Sequence, residues 1–142
     1  MPYNPQQNGV AERKNRTICE ATKATMFDHD LPNSLWAEAT STIVYIQNKC
    51  PHAILKDKTP EEVFSRIKHE VGHLRIFGCP MYIHVPKEKR TNMEPLGKKG
   101  VFVGYIENSK AYKVYVPGRR QIEVSREMTF HEEAAFNKCR EL

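Results

Sequence analysis

MYIHV, residues 81–85, alternates strictly, with Met81, Ile83 and Val85 set against Tyr82 and His84. A period of two puts successive side chains on opposite faces of a strand, so this stretch predicts a half-buried strand. The same period returns further along the chain. Val101, Val103 and Tyr105 alternate with Phe102, Gly104 and Ile106, while Tyr112, Val114 and Val116 run into the turn signal Pro117-Gly118. Ile122, Val124, Met128 and Phe130 then alternate with Glu123, Ser125, Glu127 and Thr129. Four short strands with turn signals between them predict a small antiparallel barrel or sandwich over residues 74–131, followed by a tail over 132–142.

Upstream of residues 69–73 the period is helical. Residues 10–26 place Ala11, Ile18, Ala21 and Thr25 on one side and Glu12, Arg16 and Cys19 on another. Pro32 and Asn33-Ser34 punctuate the next start. Trp36, Ala39, Ile43, Ile46 and Cys50 then recur at steps of three and four, a stripe expected to be buried with Trp36 in the core, and Pro51 stops the helix. Thr59-Pro60-Glu61-Glu62 combines an N-cap, a proline at the first helical position and a capping-box acid, and this third helix is expected to end near Lys68. The fold class expected is α+β, with helices over residues 1–68 and a barrel over 74–131.

The start of the chain carries the chemistry. In residues 2–16, PYNPQQNGVAERKNR, Pro2, Pro5 and Asn8-Gly9 read as an irregular loop, with a helix from Val10 that puts Glu12 in its first turn. A carboxylate is favoured there by unpaired N–H groups and the helix dipole. Arg13, Lys14 and Arg16 crowd around it. An acid among bases suits a metal ion and a phosphate substrate; it equally suits an exposed helix start with Glu12 paired to Arg16.

Composition narrows the classes. Of 142 residues, 39% are hydrophobic, a modest supply that leaves room for a missing partner segment. The apolar run Ile43-Val44-Tyr45-Ile46 falls far short of the roughly 18 residues that suggest a membrane span. Met1-Pro2-Tyr3 does not read as the start of a signal peptide. Cys19, Cys50, Cys79 and Cys139 form no CxxC pair and fit reduced intracellular thiols. The net charge of +5 is uneven: residues 1–68 carry +1, residues 74–131 carry +6, and the remainder −2. A basic second half suits a polyanion, or simply a solvated surface. Within it, Lys87, Lys89, Arg90, Lys98 and Lys99 belong to the loop KEKRTNMEPLGKK, able to neutralise several phosphates. Tyr82, Tyr105, Tyr112 and Tyr115 offer rings for base stacking, although alternation sends several of them into the barrel core.

One rival motif needs weighing. His69-Glu70-Val71-Gly72-His73 satisfies the H-E-x-x-H zinc-hydrolase pattern, which needs both histidines on one helical face. Gly72 weakens such a helix, and strand-like sequence begins at Leu74, where a further helix should supply the third ligand.

PYNPQQNGVAERKNRT, LPNSLWAEA, HLRIFGCPMYIHVPKEKR, KKGVFVGYIENSKAYKVY and VSREMTF follow one another over nearly the whole chain. Together they resemble the integrase region of copia-class retrotransposon Pol polyproteins, from the end of a DDE-type catalytic core into an SH3-like domain. The resemblance implies a helical remnant of a ribonuclease H-like core over residues 1–68 and an SH3-like β-barrel over 74–131. It implies metal-dependent DNA end processing and strand transfer, with two Asp and one Glu holding two Mg²⁺ or Mn²⁺ ions. Glu12 matches that Glu, as catalytic residue and metal ligand. Tyr3, Asn8 and Arg16 match polar and basic DNA contacts, with Arg13 and Lys14 beside them, while Cys19 stands where relatives carry another Lys.

The two Asp partners belong upstream of the Glu, and the aspartates here are Asp28, Asp30 and Asp57. Asp28-His29-Asp30 reads as a solvated turn, or a metal-recruiting one. The chain alone is therefore expected to be inactive, and its first two helices to expose faces that core strands would cover. Expected partners are DNA, the upstream integrase core or other Pol segments, and a homo-oligomer, with no membrane; the expected place is the nucleus. Two alternatives stay open: a non-catalytic nucleic-acid-binding or assembly module, and a degenerate transposon remnant.

Overall fold

The structure, a computed structural model, describes residues 5–89 and 97–133. Its contacts divide the chain into two compact units, Met1–Val71 and Gly72–Leu142.

The first unit is helical. It comprises α1 (Pro5–Asp28), a 3-10 turn (Asn33–Leu35), α2 (Trp36–Asn48), a second 3-10 turn (Ala53–Leu55) and α3 (Pro60–Ser65). Helix α1 begins at Pro5 and continues through Asn8-Gly9, where a loop is expected from the turn signal. Proline at the first helical position sacrifices no hydrogen bond. The helix formers Gln6, Gln7 and Ala11 to Lys14 then outweigh the cost of Gly9, about 1 kcal/mol.

Helix α1 packs on α2. Thr22 is fully buried and its hydroxyl donates to the Ile18 carbonyl (2.8 Å) while lying 3.3 Å from the Thr40 hydroxyl. Returning a buried hydroxyl to the preceding turn satisfies it without a water. The buried positions facing it are Ala39 and Thr42 of α2, with Leu35 of the preceding 3-10 turn buried as well. Ala39 is buried as the expected stripe requires, but Trp36 is 53% exposed and Cys50 is exposed too, with Leu35 and Thr42 buried in place of Trp36 and Ile43. A step of one residue turns a side chain about 100° around the helix, enough to move the indole off the contact.

Thr59 caps α3 as expected, accepting from the Glu62 amide at 3.0 Å, with Pro60 at the first position. The helix stops at Ser65 rather than Lys68, because Arg66 turns left-handed at φ 60°. Lys49, only 8% exposed at the end of α2, donates to Glu61 Oε2 at 2.6 Å and lies 4.8 Å from the Tyr45 ring centroid.

The second unit is a five-stranded antiparallel sheet. Its strands are β1 (Pro80–His84), β2 (Gly97–Tyr105), β3 (Tyr112–Val116), β4 (Gln121–Ser125) and β5 (Met128–Phe130), in the order β4-β3-β2-β1-β5. The last expected strand is thus two. After β4 pairs with β3, the chain breaks at Arg126-Glu127 and β5 pairs with the free edge of β1, where Glu127 accepts the His84 amide at 3.1 Å. The whole is α+β, with the helices followed by an SH3-like sheet.

Alternation holds in β1, where Met81 and Ile83 are buried and Tyr82 and His84 exposed. It inverts in β4. Ile122 and Val124 are exposed, and the half-buried Glu123 takes the inner face opposite Val114. An edge strand tolerates this because Glu123 stays within reach of Lys98 (3.7 Å) and Arg119 (4.0 Å). The core gathers Cys79, Met81, Ile83, Phe102, Val114 and Val116. Tyr105, Tyr112 and Phe130 meet the Phe102 ring edge-on, with centroids 5.1, 5.6 and 5.8 Å away. Gly100 lets β2 lie tight on β3: a Cβ there would run into Val114 Cγ1 and stand 3.1 Å from the Tyr115 carbonyl.

Candidate nucleic-acid interface

Two surfaces carry the residues of interest, one in each unit. On α1, Asn8, Glu12, Arg16 and Cys19 are all exposed. At about 100° per residue they share an arc of about 80° on one face of the helix. Arg13 stands about 100° from Glu12, outside that arc, and its Nε donates to the Gly9 carbonyl at 3.3 Å. Lys14 points to the other side of the helix, about 160° from Glu12. The grouping of Glu12 with Asn8 and Arg16 is therefore real, and that with Lys14 is not. Tyr3 lies outside the described residues.

The electrostatics of Glu12 also differ from expectation. With α1 starting at Pro5, its first turn contains no acid and Glu12 stands two turns further on. The helix dipole acts within the first turn, so it does not hold this carboxylate. Among the described residues Glu12 makes no ion pair, with Arg16 or any other base, and its carboxylate is open to a ligand.

A single carboxylate does not make a metal centre. Among the described residues no three His, Cys, Asp or Glu side chains come together to hold an ion. Asp28, at the far end of the same helix, is about 24 Å along the axis from Glu12. These residues on their own do not fit a two-metal site. The H-E-x-x-H motif fails as well, because residues 66–71 are not helical. His69 Nε2 lies 2.9 Å from Ser65 Oγ and 3.7 Å from Glu61 Oε1, which makes it part of the α3 capping region.

In the sheet unit the expected basic loop is partly strand. Lys87 and Lys89 are exposed on a 3-10 turn after β1, and Arg90 lies outside the described residues. Lys98 and Lys99 belong to β2, whose pleat sends neighbours to opposite faces. Lys98, beside Ile83, turns to the inner rim and its ion pair with Glu123; Lys99, beside Tyr82, faces out and has no partner among the described residues.

The tyrosines divide in the same way. Tyr105 accepts from the Arg75 amide at 2.9 Å, Tyr112 donates to the His73 carbonyl at 3.0 Å, and Tyr115 is buried. Tyr82 alone of the four keeps an exposed ring, 39% accessible. Cys79 is fully buried and its thiol is pushed up from 9.0 to about 12, by desolvation first and then by the Glu132 charge, against a smaller opposing pull from Arg75.

Residues 79–141 match the retroviral polymerase SH3-like domain. A retrovirus-related Pol polyprotein from a Nicotiana tabacum transposon is 37% identical over 132 residues, covering 93% of this chain and 10% of that protein. Another, from an Arabidopsis thaliana transposon, is 29% identical over 132 residues, covering 92% of this chain and 9% of its own length. This chain belongs to the copia-class retrotransposon Pol polyproteins. It spans about a tenth of the length of these curated relatives. An uncharacterised mitochondrial protein of Arabidopsis thaliana is 34% identical over 105 residues, 73% of this chain and 85% of its own length. No solved structure matches.

Not anticipated from the sequence of this Pol segment are His131, against the Tyr82 ring, and His84 and Thr129, which lie within hydrogen-bond distance of each other on the same face. The signal was present for His84, which alternation places on the outward face with Tyr82. It was absent for His131, because the separate course of β5 was not foreseen.

Proposed function

We propose that this Pol segment is part of an integrase acting in DNA integration, inactive by itself. The observation that carries the proposal is the exposed face of α1, where Glu12 stands between Asn8 and Arg16 with no ion pair among the described residues. In this reading Glu12 supplies one hard oxygen ligand to Mg²⁺ or Mn²⁺, and the upstream integrase core supplies the other carboxylates. Asn8 and Arg16 contact DNA beside it. Exposed apolar side chains of the helical unit, Phe27 (84%), Phe64 (92%) and Trp36, support a docked core as the partner. A site of action on chromosomal DNA would be nuclear.

The test is a chimera in which this chain replaces the matching segment of the tobacco relative, assayed for strand transfer with Mg²⁺ against the unaltered protein. The chimera should join DNA ends, and Glu12→Gln should abolish joining. In the free chain the same change should leave DNA affinity equal or higher, since it removes a negative charge from the α1 face. A Glu12→Gln chimera that still joins ends would refute the role of Glu12.

A second reading has its own observation. The net +6 of residues 74–131 and the exposed Lys87, Lys89 and Lys99 favour nucleic-acid binding by the sheet unit whatever α1 does. This activity survives Glu12→Gln in any context, so the same variant separates the two readings. A degenerate remnant would show neither.

A further inference from the structure

The outward face of β1, β2 and β5 is built as more than a charged surface. Directly opposed residues of an antiparallel sheet project on the same side, and the register sets Lys99, Tyr82 and Thr129 in one row across β2, β1 and β5. Met81 and Ile83 point into the core, so Tyr82 and His84 point away from it. The Tyr82 ring is held edge-on by His131, with centroids 5.0 Å apart and planes at 83°. With the planes nearly perpendicular the two rings do not stack on each other, and Tyr82 stays 39% exposed.

The neighbours complete the pattern. His84 Nε2 lies 3.0 Å from the Thr129 hydroxyl, which fixes the imidazole beside the row. Opposite His84 stands Gly97, where a Cβ would come within 2.9 Å of the Ile83 carbonyl, so no side chain covers that position. Lys99 lies on the other side of Tyr82 with its ammonium unpaired among the described residues. Lys87 and Lys89 follow at the end of β1. Of the described acids nearest in sequence, Glu88, Glu127, Glu132 and Glu133 stand outside the three strands, and Glu132 Oε1 accepts from the Ile76 amide at 3.4 Å; Glu94 lies outside the described residues.

A braced, 39% exposed aromatic ring, a bare notch beside it and an exposed cation next in the row, without a partner among the described residues, match an unpaired base and its phosphate. A base inside a duplex has no free face to offer. We propose that this face binds single-stranded nucleic acid, with Tyr82 stacking on a base and Lys99 contacting the backbone. The inference rests on the nucleic-acid reading of the sheet unit and needs nothing from Glu12.

The experiment is fluorescence anisotropy of the full chain with a labelled oligo-dT and a duplex of equal length, over a range of salt. The single strand should bind at least about tenfold more tightly than the duplex. Tyr82→Ala should lose about tenfold for the single strand, a middle value for one stacked base, while Tyr82→Phe stays within about twofold. Lys99→Gln should lower the salt slope by about 0.7, the single-strand value for one phosphate contact, while Lys110→Gln, in the β2–β3 turn, should not. Binding that prefers duplex, or that ignores Tyr82→Ala, would overturn this face as the site and leave the nucleic-acid reading standing. Failure to bind either probe would overturn both.

Discussion

Phe102 should decide whether the sheet unit exists. Its side chain is fully buried, and three rings meet it edge-on. Phe→Ala at such a site costs about 3–5 kcal/mol, and the lost aromatic contacts, about 0.5–1.5 kcal/mol each, place Phe102→Ala at the upper end. The unit Gly72–Leu142, at about 0.05–0.15 kcal/mol per residue, holds roughly 4–11 kcal/mol in all. One substitution thus removes about half of its stability or the whole of it. With a urea dependence of about 1 kcal/mol/M for a small domain, the midpoint should fall by about 3–5 M. The assay is a urea titration with two reporters: amide resonances of β2 and β3 for the sheet, and emission of the single tryptophan, Trp36, for the helices. Phe102→Leu, which keeps most of the apolar volume, should cost about 1–2 kcal/mol. A Phe102→Ala midpoint within about 1 M of the parent would refute the central place given to this ring.

Three further outcomes follow from single contacts. Gly100→Ala should destabilise the sheet unit by about 1–3 kcal/mol through overpacking on Val114, while Gly118→Ala, with open space around it, should change stability by under about 0.5 kcal/mol; equal effects in thermal melts would contradict the packing described. Glu61→Gln leaves the Lys49 ammonium buried without a counter-charge and should cost about 1–3 kcal/mol, discounted because Glu61 is itself one-third exposed, whereas Lys49→Met should stay within about 1 kcal/mol of the parent; the reverse order in chemical denaturation would sink the argument. Burial raises the Cys79 thiol from 9.0 to about 12, so the folded state holds its proton more tightly than the unfolded state. That contribution is complete below pH 9 and is lost as pH rises towards 12; stability measured across that window should therefore fall more steeply for the parent than for Cys79→Ala.

Legibility differed between the halves for a physical reason. A strand's faces are fixed by a period of two, so β1 and the inward course of Met81, Ile83 and Val114 could be read directly; in β2 a register shift between Phe102 and Gly104 breaks the period, and Phe102 and Val103 are both buried. Edge strand β4 escaped because ion pairs, rather than burial, hold its inner residue Glu123. In α2 the expected stripe held at Ala39 and failed at Trp36 and Cys50. Leu35 and Trp36 both offer apolar area, and only the contact with α1 decides which is used. The start of α1 was misread because Asn8-Gly9 is a turn signal in isolation and a tolerable cost inside a long helix. Family resemblance located the candidate Glu12, yet the helix-dipole argument attached to it depended on that misplaced start. The row of Lys99, Tyr82 and Thr129 was invisible because it exists only in the register of three strands.

The part of α1 that carries Glu12 is also the part its own unit supports least. Residues 10–17 are exposed throughout, while the buried positions of the helix begin at Thr22. A helical stretch without tertiary cover is marginal in water, because nucleation is costly and propagation gains little per residue. Order at Glu12 should therefore depend on what covers the helix. Hydrogen exchange on the free chain should show strong protection for amides of β1, β2 and β3, intermediate protection for α1 beyond Thr22, and little for residues 10–17. In the tobacco chimera proposed above, protection at residues 10–17 should rise to the level of the rest of α1, because the docked core would bury that stretch. Equal protection along α1 in the free chain would mean that the helix is held without a partner. The exposed Phe27, Trp36 and Phe64 would then need an explanation other than a missing core.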